Sequence, residues 1–441
     1  MSYADSSTRK GTSNTSRSKS LSYLANAIYT YDNRYTLTLT ARRQGNSAFS
    51  EFSRWQTYAA AAVRWNIHRE SFYDIPWMNQ CSIRMSYGAN GNSRVDSSSS
   101  YGSYSLSSYY GVKPAATQST PPNPGLSWEK TYTANPGVNM GFLGGKITVD
   151  VDYYNRQTHD VIYSGRVSSV ITDGSVKRNV GIIENRGWEF SINTINIDRP
   201  NFTWRTYING ARNRNLIKKL EGDSYTGYFD HIWIEGQQKD AMWLIDFAGI
   251  DPTNGKRMYY DSNGDLTYTA NFADRVYMPQ YTNQPDLFGG VSNSFTFFKN
   301  WNAQIMFDYT LGGWYFYTLI YDASSIDRAL PVEYLDRWTT PGQDATVPRL
   351  EYKNGNTLAD YNTPYDLWNT TSAQLRSLSI GYTLPKGISK KINVDNCTIS
   401  FIGRNLYFWT IGQNPNRNSY KTIKDPYGMH RTFSIAVHAS F

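Results

Sequence analysis

Apolar and polar side chains alternate at every second residue over long stretches of this chain. The last ten residues are the clearest case, and the side chains that share one face there are Phe433, Ile435, Val437, Ala439 and Phe441. Such alternation is typical of β-strands with one apolar and one polar face, and it predicts about thirteen strands of roughly ten residues. The fold is therefore expected to be all-β and antiparallel. The predicted segments are 21–30, 34–43, 56–67, 81–88, 128–141, 147–154, 186–197, 202–213, 286–297, 301–310, 371–384, 397–406 and 432–441.

The two faces of these segments differ in charge. In the cleanest runs one face carries no charged side chain, and the charged residues on the other face are Arg84, Asp150, Asp152, Glu189, Asp308 and Arg404. Strands of soluble sheets are usually about five or six residues long. Strands of about ten residues with an apolar outer face are typical of transmembrane β-barrels. The pattern thus favours a transmembrane barrel, with a soluble sheet as the alternative.

Short and long connections alternate along the chain. The short ones are 31–34, 142–145, 198–201, 298–300 and 385–396, and the long ones are 89–127, 158–185, 214–285, 312–370 and 407–431. Bacterial outer-membrane barrels have short periplasmic turns, long external loops and an even number of strands. An odd strand count, together with an N-terminus that has no apolar signal segment, predicts that upstream barrel and export elements are missing from this sequence.

Composition narrows the other possibilities for a chain of 441 residues. No apolar run approaches the roughly 18 to 20 residues that a membrane helix needs, and an aromatic content of 15% argues against disorder. The net charge of +8 is spread thinly, without the basic block that marks a nucleic-acid-binding arm. Cys81 and Cys397 stand alone in strand-like runs, so two free thiols are expected, with one disulfide as the alternative.

Eight short segments are informative through their order and spacing. They are 35–43 (YTLTLTARR), 84–92 (RMSYGANGN), 123–130 (NPGLSWEK), 152–155 (DYYN), 179–190 (NVGIIENRGWEF), 249–255 (GIDPTNG), 374–385 (QLRSLSIGYTLP) and 403–406 (GRNL). Together they resemble the C-terminal part of the SusC/RagA family of TonB-dependent outer-membrane transporters from Bacteroidetes. The resemblance implies that residues 1–441 form part of a β-barrel of about 22 strands, with a polar segment over 1–20, strands from residue 21 onward and no plug domain.

The resemblance also implies a function and partners. It implies nutrient uptake, as import of oligosaccharides or oligopeptides, across the outer membrane of a Gram-negative, Bacteroidetes-like bacterium. The implied partners are a SusD-like surface lipoprotein, TonB acting through the absent plug region, the barrel-assembly machinery and outer-membrane lipid, with no nucleic acid. Because the N-terminal parts of the family have no counterpart in this sequence, we expect a fragment, a truncated reading frame or one piece of a split protein. The alternatives are a non-transporting outer-membrane β-barrel that acts in surface binding or assembly and, ranked lower, a soluble carbohydrate-binding protein.

Aromatic residues are frequent in the long predicted loops. Such rings stack on sugar faces or peptide side chains, while nearby polar groups bond polar edges. The candidate ligand-binding residues are Trp233, Trp243, Tyr260, Trp314, Tyr315 and Trp338. Loop packing, a lipoprotein interface or a membrane interface would use the same side chains, so a structural role is favoured for any single one. As a group they predict a ligand or partner surface.

The final strand carries a second candidate site. An amphipathic last strand that ends in an aromatic residue resembles the signal read by the barrel-assembly machinery. The residues assigned to this signal are Phe433, Ile435, Val437 and Phe441. An ordinary closing strand is the alternative.

Catalysis, metal binding and cofactors find little support in the sequence. The five histidines lack ligand-like spacing, no phosphate loop or nucleophile elbow occurs, and we expect no catalysis and no cofactor. Asp261, Asn263 and Asp265 have a faintly calcium-like spacing but lack the glycine and glutamate of an EF-hand. Two tight turns around a short strand at 257–260 are favoured instead. Pro136 is expected to mark a bulge or a strand start.

Overall fold

The computed structural model describes residues 17–440, except 94, 111–112, 167–174, 221–224, 227–231, 317–334, 351–361 and 411–429. Its main feature is a sheet of thirteen antiparallel strands that pair in chain order. The strands are β1 Ser20–Tyr31, β2 Tyr35–Asn46, β3 Trp55–Trp65, β4 Gln80–Asn92, β5 Glu129–Phe142, β6 Ile147–His159, β7 Gly181–Arg199, β8 Phe202–Leu220, β9 Leu287–Phe297, β10 Trp301–Leu311, β11 Ser372–Thr383, β12 Asn396–Thr410 and β13 Thr432–Ser440. The predicted all-β antiparallel fold is confirmed, with one strand for each predicted segment. Among the described residues, β1 and β13 each pair with one neighbour.

The register keeps apolar residues on one face of the sheet. Met140, Val149 and Ile192 lie directly opposite one another on β5, β6 and β7. The same row continues through Ile208 and Val291 on β8 and β9. Because a one-residue slip would move every side chain to the other face, this register is strongly specified by the sequence. We call this side of the sheet the apolar face and the opposite side the polar face.

Aromatic rings form a row on the apolar face near the short turns. Phe202, Phe297, Trp301 and Tyr382 lie side by side across four strands, and the Trp301 and Tyr382 ring centroids are 4.7 Å apart. A second aromatic level occurs nearer the long connections, where the Tyr153 and Trp188 rings are 4.9 Å apart. The apolar face is thus bounded by rings at both ends.

The connections segregate mainly as predicted. At one end of the sheet they cover 32–34, 66–79, 143–146, 200–201, 298–300 and 384–395, and at the other end 47–54, 93–128, 160–180, 221–286, 312–371 and 411–431. The segregation is not strict, since 66–79 is longer than 47–54. Asp32 and Asn33 take positive φ values of 48° and 52° in the first turn, a conformation that short polar residues tolerate.

Shorter elements fill the long connections. The further strands are Ser103–Tyr110, Lys113–Thr120, Ile162–Arg166, Ser175–Asn179, Tyr225–Thr226, Ile232–Trp233, Ala241–Ile245, Phe247–Ile250, Arg257–Tyr260, Leu266–Thr267, Arg275–Thr282, Trp314–Phe316 and Leu367–Asn369. The helices are Ser97–Tyr101 and Lys386–Ser389, with 3₁₀ turns at Ile67–Arg69, Phe272–Asp274, Pro364–Asp366 and Lys390–Ile392. In the described part of the chain, every helix is too short or too polar to cross a membrane.

Two expectations about single residues can be compared with the structure. Pro136 lies inside β5 opposite Met85, and the register toward β6 is the same before and after it. The expected bulge or strand start is therefore wrong, because one missing N–H donor interrupts pairing toward β6 without shifting the strand. Cys81 and Cys397 are free thiols on separate strands.

The buried clusters lie mostly in the long connections. One contains Phe49, Leu126 and Trp128 together with Tyr58 of β3. Two others lie in the connections that follow β8 and β10 and contain Met242, Leu244, Met278 and Leu367, and Ile245, Tyr259 and Ala270. Packing of loops against one another therefore supplies much of the interior.

Candidate ligand-binding groove and loop cluster

The polar face carries a groove lined by carboxylates. The groove has a volume of about 480 Å³, and its acidic lining residues are Asp150, Asp152, Glu189 and Asp308. They lie on β6, β7 and β10, and Tyr207, Asn209, Phe288 and Met306 complete much of the wall. We call this feature the carboxylate groove.

An arginine holds part of this groove in place. Arg84 donates to both carboxylate oxygens of Asp152, with an Nε–Oδ1 distance of 3.3 Å, and its Nη1 donates to Asn139 Oδ1 at 3.2 Å. Asn139 donates onward to Asp150, which also accepts from Ser191 Oγ at 3.2 Å. The result is a hydrogen-bonded row across four strands that orients both aspartates.

A glycine makes the Arg84–Asp152 contact possible. Gly137 lies between the two residues in the register of β4, β5 and β6. A Cβ at this position would approach Asp152 Oδ1 to 2.4 Å and Arg84 Nε to 2.6 Å. Any larger side chain would therefore separate the pair, and glycine allows it to span the intervening strand.

The remaining carboxylates are more open. Asp308 lies 3.7 Å from Arg376 Nε, with both side chains exposed by more than a third, and Glu189 is exposed. A groove with more carboxylates than cations presents mostly hydrogen-bond acceptors. It is suited to ligands that offer hydroxyl, amide or ammonium donors.

The long connections after β8 and β10 pack together into what we call the loop cluster, residues 241–282, 314–316, 335–350 and 362–369. Its short ladders pair Ala241–Ile245 with Arg275–Thr282 and Trp314–Phe316 with Leu367–Asn369. A third, three-stranded ladder contains Phe247–Ile250, Arg257–Tyr260 and Leu266–Thr267. Two of the buried clusters described above form its interior.

A buried ion pair joins two parts of the loop cluster. Arg257 Nη1 and Nη2 donate to Asp366 Oδ2 and Oδ1 at 3.0 and 3.1 Å, and the two side chains are only 9% and 1% exposed. Thr363 Oγ1 donates to the same carboxylate at 2.8 Å, and the guanidinium lies 4.9 Å from the Tyr365 ring centroid. Burial alone would lower the pKa of Arg257, but the adjacent Asp366 carboxylate outweighs it and raises the pKa above its usual value.

A tight turn at 251–255 forms a second anchor of the loop cluster. Asp251 accepts hydrogen bonds from Tyr268 Oη, from the Thr253 backbone N–H at 2.8 Å and from Asn254 Nδ2 at 2.7 Å. The bond from Tyr268, followed by those from Thr253, holds the pKa of Asp251 below its usual value. Trp338 Nε1 donates to the Pro252 carbonyl at 2.9 Å, so the 335–350 segment is fastened to this turn.

The six sequence-predicted ligand residues do not share one described environment. Trp314 packs against Tyr281 with ring centroids 5.0 Å apart, beside a buried cluster. Trp243 lies opposite Tyr277, with ring centroids 5.5 Å apart, and Tyr315 lies opposite Trp368 in a short ladder.

Trp233 and Tyr260 are placed differently. Trp233 packs against Tyr163 with the ring centroids 4.9 Å apart and the ring planes tilted by 42°, and Lys239 Nζ lies 5.6 Å from the Trp233 ring centroid. Tyr260 ends a short strand with 39% of its surface exposed. Trp338 is half-buried against the 251–255 turn, as described above. Ligand binding by these rings stays a prediction, with Tyr260 the most accessible of the six.

The calcium hypothesis concerns a turn that the structure describes. Asp261 Oδ1 accepts backbone N–H groups of Asn263 and Asp265 at 2.8 and 2.9 Å, which is an Asx-type turn. Together with the 251–255 turn it flanks the strand Arg257–Tyr260, as the favoured alternative predicted. Within the described residues, no group of three or more His, Cys, Asp or Glu side chains is arranged to hold a metal ion. Calcium binding here stays a prediction.

The last strand presents its apolar side chains outward. Phe433, Ile435 and Val437 are all more than 60% exposed on one face of β13. Phe441, the fourth residue assigned to the assembly signal, lies outside the described residues. Recognition of this strand by the assembly machinery stays a prediction.

Sequence reasoning missed the Arg257–Asp366 pair. The two residues are 109 positions apart, and neither belongs to an alternating run or a motif of known spacing. Sequence reasoning also placed Arg84 and Asp152 on the polar face without pairing them. The sequence signal for the Arg84–Asp152 pair is Gly137, which lies on the strand between these two charged residues.

Comparison with known proteins finds similar sequences among TonB-dependent receptors. No protein-family model matches the chain. It is 26% identical over 463 residues to TonB-dependent receptor P26 of Formosa agariphila, covering 95% of this chain and 46% of that protein. It is 31% identical over 287 residues to TonB-dependent receptor SusC of Bacteroides thetaiotaomicron, covering 60% of this chain and 29% of SusC.

Solved structures show the same fold. The RagAB peptide importer in its open-open state superposes with a TM-score of 0.81 at 21% identity, covering 100% of this chain and 49% of that one. A second structure, of the RagAB peptide transporter, gives 0.80 at 21% identity, covering 94% and 47%. The chain thus spans about half or less of the length of the proteins it matches. In sequence the chain is similar to TonB-dependent receptors that include SusC, and in fold it is similar to the RagAB structures.

Proposed function

We propose that this chain forms part of the wall and the outer loops of an outer-membrane uptake protein of the SusC type. The observation that carries the proposal is the separation of one thirteen-stranded sheet into an apolar face bounded by aromatic rings and a polar face that holds the Arg84–Asp152 pair and the carboxylate groove. Lipid offers no hydrogen bonds, so a sheet that spans a membrane turns its apolar side outward and pairs its backbone internally.

The dimensions of the apolar face support this placement. Eight residues separate Trp301 from Tyr309 on β10, which is about 26 Å along a strand. At a strand tilt of about 40° this corresponds to about 20 Å across the membrane, close to the apolar band of about 25 Å in outer-membrane barrels. The long connections then lie outside the cell, with the loop cluster exposed to ligand.

We propose oligosaccharides or oligopeptides as the substrates. The carboxylate groove supplies acceptors for donor-rich chains, and the aromatic rings of the loops supply stacking surfaces. An excess of carboxylates favours neutral or basic oligomers over acidic ones of the same length. A SusD-like lipoprotein would deliver the ligand, and TonB would drive entry through a plug supplied by other residues.

Uptake in the native host tests the proposal. We expect an in-frame deletion of residues 1–441 to abolish accumulation of labelled neutral oligosaccharides or oligopeptides while leaving uptake of the corresponding monomers unchanged. Complementation should restore uptake, and pull-down of the chain should recover a surface lipoprotein. Unchanged uptake of both oligomer classes, with the chain present in outer-membrane fractions, would instead support the non-transporting barrel.

A further inference from the structure

A basic patch lies on the apolar side of the sheet at the long-connection end, level with the aromatic boundary there and one row beyond it. Arg186 of β7 is directly opposite Arg214 of β8, and Arg212 of β8 is directly opposite Trp188. These residues therefore share the face that carries Phe190 and, one row further down, Ile192. All three arginines are exposed, and we call them the basic patch.

The charges of this patch are poorly compensated by the protein. Arg186 Nη1 is 3.9 Å from Glu184, but that buried carboxylate already receives Lys218 Nζ at 3.2 Å and Gln157 Nε2 at 3.2 Å. In the described part of the chain, Arg212 and Arg214 form no ion pair with an acidic side chain. Like charges directly opposite each other on neighbouring strands destabilise a sheet. An external anion would remove this repulsion.

The spacing suits a phosphate group. Directly opposite residues place their Cβ atoms about 5 Å apart, and Arg212 and Arg214 are about 7 Å apart along one strand. Three guanidinium groups can therefore converge on one anion. Guanidinium is the cation best matched to phosphate, because its planar fork donates two parallel hydrogen bonds.

The distance of the basic patch from the aromatic row near the short turns identifies the source of that anion. Ten residues separate Arg212 from Phe202 in the lower aromatic row, about 33 Å along the strand or about 25 Å across the membrane at a tilt of about 40°. The patch therefore lies at the border of the apolar band on the side of the long loops. A ligand there has its charged group beside the arginines and its apolar part against Phe190 and Ile192.

We propose that the basic patch binds the phosphorylated headgroup of an acylated lipid in the outer leaflet, with the acyl chains lying on the apolar face below it. A lipid carries both chemistries in one molecule, whereas an acidic protein would match only the arginines. The inference rests on the membrane placement proposed above.

Lipid binding to the chain, extracted from outer membranes of its native host in mild detergent, tests this inference. The probes are phosphorylated lipid A and the same lipid A after enzymatic dephosphorylation, titrated by native mass spectrometry. We expect the phosphorylated lipid to bind at least about tenfold more tightly, since two or more charge-assisted hydrogen bonds are made only with phosphate. Inorganic phosphate at equal concentration should not displace it, because it lacks the acyl chains.

A charge-matched pair of variants makes the test specific. Arg212→Gln with Arg214→Gln should reduce the preference for phosphorylated lipid to within about twofold. Arg42→Gln with Arg205→Gln removes the same charge from the polar face and should keep the preference. A variant that has not folded is identified by a smaller difference in gel mobility between its unheated and heated samples. For such a variant, the inference is judged from the binding of the two lipids to the unaltered chain.

Three results would overturn the inference. They are equal binding of the two lipids to the unaltered chain, a preference that persists in the Arg212 and Arg214 variant, and an equal loss in the polar-face control. In each case the chain would still be in the membrane, so the proposed uptake function would stand. Absence of the chain from outer-membrane fractions would overturn both proposals.

Discussion

Removing either partner of the Arg257–Asp366 pair is expected to open the loop cluster while the sheet stays folded. The pair is bidentate and almost fully buried, so each single change leaves an uncompensated buried charge. Breaking a buried pair in this way costs about 3 to 5 kcal/mol. We therefore expect Arg257→Met and Asp366→Leu each to lower the free energy of local opening by this amount.

Hydrogen exchange of backbone amides measures that opening directly. A loss of 3 to 5 kcal/mol corresponds to exchange about 150- to 5000-fold faster in the strands Ala241–Ile245 and Arg275–Thr282, with no comparable change in β6 or β7. The double variant should exchange more slowly than either single variant, because replacing both charges removes the unpaired one. This restoration separates a broken pair from simple loss of packing.

An exposed pair supplies the control. Arg376 and Asp308 lie 3.7 Å apart with side chains 48% and 39% exposed, and such pairs contribute at most about 1 kcal/mol. Arg376→Met should leave exchange in the loop cluster unchanged. If the two buried-pair variants also changed the opening free energy by less than about 1 kcal/mol, the pair would not hold the loops together, and the reasoning would be refuted.

Two further predictions concern the turn at 251–255. Hydrogen bonds, that from Tyr268 foremost, hold the pKa of Asp251 low, so the stability that the carboxylate contributes is fully present above its unfolded pKa and is lost as pH falls through the lower folded pKa. Amide exchange measured from pH 6 to 3 should therefore show the unaltered chain losing protection near this turn in acid. Asp251→Asn should be less protected than the unaltered chain at pH 6 and nearly insensitive to pH. Gly255 has φ +73° and a Cβ there would meet the Trp338 ring at 2.5 Å, so Gly255→Ala should destabilise the loop cluster by about 2 to 4 kcal/mol. Gly264→Ala, at φ +84° with open space around it, should cost only about 1 kcal/mol, and equal protease sensitivity of the two variants would contradict the role of Trp338.

Local alternation sufficed to predict the sheet because each strand contrasts an apolar face with a polar one. The prediction fell short where that contrast ends. Strands β7 and β8 each run for 19 residues, beyond the predicted 186–197 and 202–213. Their additional residues include Asn185 and Lys218, and polar side chains occur on both faces there. In these extensions apolar and polar side chains are mixed on both faces, and some apolar ones, such as Ile217 and Leu220, are buried. Such a segment gives no period-two signal, even though its backbone ladder continues.

The loop cluster could not be predicted in the same way. Its anchors join residues far apart in the chain, as when Trp338 donates to Pro252 or Arg349 donates to the carbonyl of Asn254. Nothing local to Trp338 distinguishes a ring that fastens a loop from one that binds a sugar. Aromatic content therefore predicted a surface rich in rings, but only the fold separates packed rings from accessible ones such as Tyr260.

The two ion pairs with the best geometry have different physical roles because water reaches them to different extents. Arg84 and Asp152 are 30% and 19% exposed on the wall of an open groove, so solvent screens their attraction, and the pair contributes orientation of the groove more than stability. The wall itself is held by continuous backbone ladders, which need no side-chain charges. Arg257 and Asp366 are shielded from water, and they join segments that no long ladder connects. Loss of the groove pair should therefore alter ligand selection on an intact wall, whereas loss of the buried pair should free the loops, and the two effects can be separated by measuring binding and amide exchange on the same variants.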